Sequence, residues 1–343
     1  MQRSGVIRRR EFLKTGLWAA GAGLWLEALF QAPAHAEEPK PSAEADAIGV
    51  RELMKGLDGM SRVADRGHDP FAGGHNAAAV MASAFFCREQ KLDEGTQKAI
   101  LALVEARLLT SPIYAPRPEE TADYDLVEGL VRDLHTGIDS LQASGHNIIF
   151  ANLCLKALRE VPEAATPARI GGLRRMVRSL ATRKAGRLRL ENQDTFVGLS
   201  DEARFVPFVL EEYLKALDLY LNGKGHHGFA GHLLTIGHSL LELRRAGYTT
   251  TADKGIEAFW QFVQQARNGA DLGGRKIQDA PPRSPTPREP EYWVGQGRRQ
   301  TGEIVSSHLI KYPYSLFALA QEVRDEALKQ RVLDKLHHLT AVS

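Results

Sequence analysis

Four times along this chain of 343 residues, two small residues precede a histidine that opens an apolar stretch. The segments are Gly73-Gly74-His75-Asn76, Ser144-Gly145-His146-Asn147, Ala230-Gly231-His232-Leu233 and Ser306-Ser307-His308-Leu309, with the histidines 71, 86 and 76 residues apart. Two of them match further upstream. Gly67-His68-Asp69-Pro70-Phe71-Ala72-Gly73-Gly74-His75 parallels Gly225-His226-His227-Gly228-Phe229-Ala230-Gly231-His232 with one residue inserted. A histidine recurring at one structural position constrains the fold strongly. It points to a quasi-symmetric helical array with the histidines facing a shared centre, and so to a site, without naming a reaction.

The residues around each histidine say which element carries it. Apolar residues recur at three- and four-residue spacing over 76–89, 147–160, 232–246 and 309–323, with few polar interruptions. More amphipathic helical patterns follow at 96–109, 167–185, 251–266 and 325–339, and further helices are expected at 124–136 and 201–221. Helices that are apolar all round are buried, and amphipathic ones cover them. No alternating run is long enough for a sheet. The expected fold is all-α, an α/α toroid-like or curved array of about four helical hairpins with histidine-bearing inner helices. Pro313 lies inside the fourth inner helix and is expected to kink it.

The N-terminus sets the compartment. Arg9-Arg10-Glu11-Phe12-Leu13-Lys14 resembles the twin-arginine export motif, an apolar run spans 15–30, and Ala34-His35-Ala36 offers a small-x-small cleavage site. The run falls short of the roughly 20 apolar residues that a span needs. The reading is a signal peptide over 1–36 and a single all-helical domain over 37–343, exported to the periplasm by the twin-arginine machinery, with no permanent membrane span. The formal charge of +2 belongs mostly to this leader, whose five basic and two acidic residues leave the mature chain near −1. No charge excess argues for nucleic acid. Cys87 and Cys154 are the only cysteines. They allow one disulfide, but buried apolar thiols are the favoured reading. No Cys-x-x-Cys-His supports a c-type haem. The stretch 268–302 is rich in Pro and Gly and carries Tyr292-Trp293, the composition of a loop that packs over a neighbour.

The candidate chemistry follows from helical projection. Positions four and seven after each histidine are Ala79 and Ala82, Phe150 and Leu153, Ile236 and Ser239, Tyr312 and Ser315. Each histidine therefore lies on a buried stripe. A buried imidazole is neutral, the form that ligates a metal or accepts a proton. His75, His146, His232 and His308 are the first candidates as metal ligands or acid/base groups, with His238 and Tyr314 six residues after two of them as further catalytic candidates. His68 and His227 follow. A lining of His, Asn and Tyr suits a transition metal or a polar aromatic ligand, and the ligand spacing names neither. The plain alternative is four core histidines bonded to backbone.

The segments 226–247 and 67–84 resemble the His-rich helical segments of the questin oxidase-like family, and His308-Leu309-Ile310-Lys311-Tyr312 is a looser match. The resemblance covers about 60 residues. It implies an all-helical oxidoreductase acting on a hydrophobic, aromatic small molecule, with reduced nicotinamide supplied from solution. The chain itself carries no Gly-x-Gly-x-x-Gly after a strand, so no dinucleotide-binding domain is expected. The alternatives are a non-catalytic exported binding protein using the same concavity, and a toroid cyclase or lyase. The last lacks an Asp-rich motif on the inner helices.

Overall fold

A computed structural model describes residues 47–65, 67–182, 198–268, 276–277, 281, 284–297 and 303–340. The signal peptide expected over 1–36 lies outside these residues. Among the described residues there is no strand, and the fold is all-α. None of the described helices is long and apolar enough to cross a membrane.

The helices, in chain order, are α1 (Ala47–Arg62), α2 (Pro70–Glu89), α3 (Glu94–Arg107), α4 (Val127–Gly137), α5 (His146–Glu160), α6 (Pro167–Ala181), α7 (Glu202–Leu221), α8 (His227–Arg245), α9 (Thr249–Asn268), α10 (Pro290–Gly297), α11 (Glu303–Gln321), α12 (Glu326–Asp334) and α13 (Leu336–Thr340). The four histidine-bearing helices pack in cyclic order: α2 on α5, α5 on α8, α8 on α11, and α11 back on α2. They are the apolar helices of the sequence, and their side chains supply much of the core, including Phe85, Phe86, Phe150 and Tyr312.

Small residues make this closure fit. A Cβ at Gly74 would stand 2.4 Å from the Phe150 ring, one at Gly145 2.4 Å from Ile236, and one at Gly231 2.2 Å from the Tyr312 ring. At three seams, then, the residue before a histidine faces the residue four places after the next histidine. At the fourth seam the corresponding sequence positions are Ser307 and Ala79.

The outer helices depart from simple hairpins. α8 packs on both α7 and α9, but α2 packs far more on the preceding α1 than on α3, and α6 packs on α1 and α4 more than on α5. α1 is absent from the sequence expectation and is deeply built in, with Leu53, Leu57 and Met60 fully buried. A run of basic residues spans 169–189 of the sequence, and its arginines on α6 pair with neighbouring helices. Arg169 is buried and reaches Asp58 of α1 at 2.9 Å, and Arg174 reaches Asp133 at 2.7 Å. The residues of that run beyond 182 lie outside the described residues. α11 runs on through Pro313. Within 268–302, the described part 284–297 packs on α3: Trp293 is buried and donates its indole N–H to the Pro287 carbonyl at 2.9 Å, and the Thr96 hydroxyl donates to the Arg288 carbonyl at 3.1 Å. Cys87 and Cys154 are free and buried, so no disulfide joins them. Burial pushes the Cys87 thiol up to about 12 and the Cys154 thiol higher still.

A candidate metal centre at the head of the core

The inner helices present their histidines from their N-terminal turns. His75, His232 and His308 are each the sixth residue of their helix, and His146 is the first of α5. Asp69 caps α2 by accepting from the Phe71 N–H, and His226 caps α8 by accepting at Nδ1 from the Gly228 N–H at 3.0 Å. The sequence left these helix starts open, and they differ. Where α5 opens, Ala143, Ser144 and Gly145 all have positive φ, at 47°, 55° and 82°. For Ala143 and Ser144 that left-handed conformation costs on the order of 1–3 kcal/mol each. Its effect is local and chemical, for it turns the Ala143 carbonyl onto His146 Nδ1 at 2.5 Å.

All four histidines converge. Each offers one ring nitrogen, and these four atoms lie within 4.8 Å of one another. The rings pack in a chain of contacts: His75 to His146 at 4.4 Å between centroids, His146 to His232 at 4.6 Å, His232 to His308 at 5.6 Å, and His308 to His75 at 5.1 Å. Phe71 stacks edge-on against both His75 and His146 at 4.6 Å, Phe150 supports them from the other side, and Tyr312 stacks on His308 at 4.5 Å. His75 and His146 are fully buried, whereas His232 and His308 are partly exposed, although the Nε2 atoms of both are buried.

Protonation is decided by the backbone. His75 Nδ1 lies 2.6 Å from the Phe71 carbonyl, and His146 Nδ1 lies against the Ala143 carbonyl. A carbonyl only accepts, so both Nδ1 atoms carry hydrogen and both Nε2 atoms of the neutral rings present lone pairs. Those two Nε2 atoms face each other at 2.9 Å. Two lone pairs at that distance repel unless an electrophile lies between or beside them. A proton is disfavoured: burial first, then the charge of Lys311, pull His75 down to about 2. Burial also holds His232 and His308 far below the usual imidazole value, with Lys311 and the other histidines adding to it. The Nε2 atoms of His232 and His308 are buried with no hydrogen-bond partner. A metal ion fits this donor set. With metal–nitrogen bonds of about 2.0–2.1 Å, the 2.9 Å separation corresponds to two ligands roughly 90° apart on one ion. Ligands opposite each other would stand about 4.1 Å apart, within a small ring adjustment of the observed spread. The carbonyl bonds at Nδ1 are the kind of outer contact that orients a ligating imidazole.

Of the other candidates, His238 and Tyr314 meet each other rather than the ring. Their centroids are 5.0 Å apart in a second cluster farther down the same core. There Lys156 reaches Glu89 at 2.6 Å, Glu242, and the Tyr314 hydroxyl at 2.9 Å, while Tyr314 donates to Glu89 at 3.1 Å. His238 is held by burial at about 4, against the pull of Glu242. His227 stacks on His226 at 4.1 Å at the head of α8, and His68 is exposed.

Sequence reasoning missed Lys311. It is 3% exposed and has no hydrogen bond or ion pair among the described residues. Burial alone brings its amine down to about 7. A lysine in an otherwise apolar inner helix, three residues after His308, was the available signal.

No family model, no curated protein and no solved structure matches this chain.

Proposed function

We propose that this is an exported metalloprotein of oxidoreductase type, in which His75, His146, His232 and His308 hold one transition-metal ion. The observation that carries the reading is the pair of Nε2 lone pairs at 2.9 Å, fixed by two backbone carbonyls and flanked by two orphaned imidazole nitrogens. Imidazole suits copper, zinc, iron and nickel alike, so the ligand set leaves the metal open. A redox-active ion bound there would supply one-electron chemistry. The chain's own residues fix the ligand tautomers, exclude water from the His75–His146 side, and leave access past His232 and His308. A hydrophobic or aromatic small molecule would meet Phe71, Phe229 and Phe262 at that head of the core. Phe262 lies 5.8 Å from the His232 ring and 6.0 Å from Phe229. Export in the folded state, expected from the twin-arginine motif, accords with a metal loaded before passage.

The second reading is a non-catalytic periplasmic protein that holds a metal or a small ligand. The enclosure of His75 and His146 favours it, because two of the four rings are out of reach of a substrate.

Elemental analysis of the mature protein, purified from the periplasm without added metal or chelator, tests the metal. The expected result is about one equivalent of a transition metal, absent from a folded variant carrying His75→Ala and His232→Ala. Metal at the same level in both samples, or in neither, would overturn the assignment. Turnover of aromatic substrates with an electron donor then separates the enzyme from the holder.

A further inference from the structure

Charge balance at the four histidines points to a further ligand. All four donors are imidazoles, which bring no negative charge. The charges acting most on His75, His232 and His308 are Lys311 and other histidines, with no carboxylate among them. Both cysteines are held as neutral thiols. The nearest ends of α2, α5, α8 and α11 are N-termini, which add positive potential. A divalent cation in such a place is uncompensated, and an uncompensated buried charge is expensive.

Lys311 is the second half of the imbalance. Other cationic groups packed into this core have partners among the described residues: the buried Arg169 has Asp58, and the half-buried Lys156 has Glu89 and Glu242. Lys311 is as buried as Arg169 and has none. A buried lysine amine has donors to satisfy in either protonation state, and leaving them without acceptors is costly. Its place on α11 is one turn after His308, and helical side chains lean toward the N-terminus, here toward the imidazoles. Its Nζ lies 5.5 Å from the Phe150 ring centroid, and that ring packs against His75 and His146.

We propose that Lys311 and the four imidazoles together form a site for one small monovalent anion, which enters past His232 and His308 and binds as an outside ligand to the metal ion while accepting from the Lys311 ammonium. The inference rests on the metal reading above. It assigns Lys311 as a binding residue and gives the centre a ligand of azide, halide or nitrite size. The anion neutralises one unit of the ion's charge and supplies the acceptor that Lys311 lacks.

The test uses the mature protein loaded with copper(II) and titrated with azide, read by ligand-to-metal charge-transfer absorption and by electron paramagnetic resonance. Saturable binding of one azide is expected in the wild type. Lys311→Met should keep the copper and its resonance spectrum but bind azide at least about 10-fold more weakly, and Lys311→Arg should recover part of the loss. Lys311→Gln serves the same purpose if Lys311→Met does not fold. Equal azide affinity in wild type and the neutral variants, or no azide response in copper-loaded wild type, would overturn the anion site and leave the metal reading intact. Failure of the wild type to take up copper at all would overturn both, and the elemental analysis registers that outcome separately.

Discussion

The same four helices carry two polar clusters, an upper one that is buried and a lower one that is half-buried, and the two differ in their hydrogen bonding and charge. In the lower one, Lys156 is matched by Glu89 and Glu242, Tyr314 donates to Glu89, and His238 contacts Ser315 at 3.3 Å through Nδ1. Donors find acceptors and charges find opposites there. In the upper one, two lone pairs oppose each other, two imidazole nitrogens are orphaned, and a buried lysine has no partner. A closed hydrogen-bond account is what a structural cluster shows, and an open one asks for something from outside. The strained turn at Ala143 and Ser144 sides with the second reading, because it aims a carbonyl at His146.

This contrast is broken most directly by removing one member from each cluster. His146→Ala should lower metal affinity by at least about 100-fold, measured by competition with a chelator, and leave the metal-free protein folded by circular dichroism. Lys156→Met should do the reverse. It leaves the partly exposed Glu89 and Glu242 without their shared cation, so chemical denaturation should show a loss of about 1–2 kcal/mol, with metal stoichiometry unchanged. Changing Glu89→Gln and Glu242→Gln in the same chain should restore much of that loss.

A comparable effect tests the seams that bring the rings together. Gly231→Ala places a Cβ 2.2 Å from the buried Tyr312 ring, which stacks on His308. The expected cost is about 1–3 kcal/mol by denaturant titration, together with weakened metal binding.

Acidity sharpens the comparison from the other side. His75, His232, His308 and His238 all have folded values below the usual 6.5. The unfolded chain therefore binds more protons below about pH 6.5, and stability falls as pH falls through and below that value. For His238 the loss is complete near pH 4, and for His75 it continues down to about 2. Bound metal should hold the upper rings unprotonated, so metal-loaded protein should melt at a higher temperature than metal-free protein, with the gap shrinking once acid strips the ion. Equal melting curves at pH 7 would contradict this. Arg178→Ala, which removes an exposed ion pair to Asp133 on the outer layer, should shift stability by no more than about 0.5 kcal/mol and metal uptake not at all.

Much of the layout was legible in residues. The all-α class followed from the helical periodicity. The repeat set His75, His146, His232 and His308 at equivalent positions but left their convergence open, and the +4 residues Phe150, Ile236 and Tyr312 proved to be the side chains that lie against Gly74, Gly145 and Gly231. Short-range patterns of this kind are written in the chain because a helix turns residues four apart onto one face whatever surrounds it. The outer layer was less legible. An amphipathic helix such as α1 states that it has a partner but not which one, and its pairing with α2 and α6 depends on loops and on the Asp58–Arg169 ion pair across more than a hundred residues.

What only the tertiary structure decided is the state of each polar group. The sequence placed His238 and Tyr314 beside the repeat histidines, and the fold moved them into a charge-balanced cluster with Lys156. It treated Lys311 as part of a loose motif, and the fold left it buried and unpaired. It could not say which nitrogen of His75 or His146 bears hydrogen, because the Phe71 and Ala143 carbonyls that settle this are positioned by a helix start and a left-handed turn. Local periodicity determines which face a side chain occupies. Desolvation and partner geometry determine what that side chain can do, and both arise only when distant helices close around it.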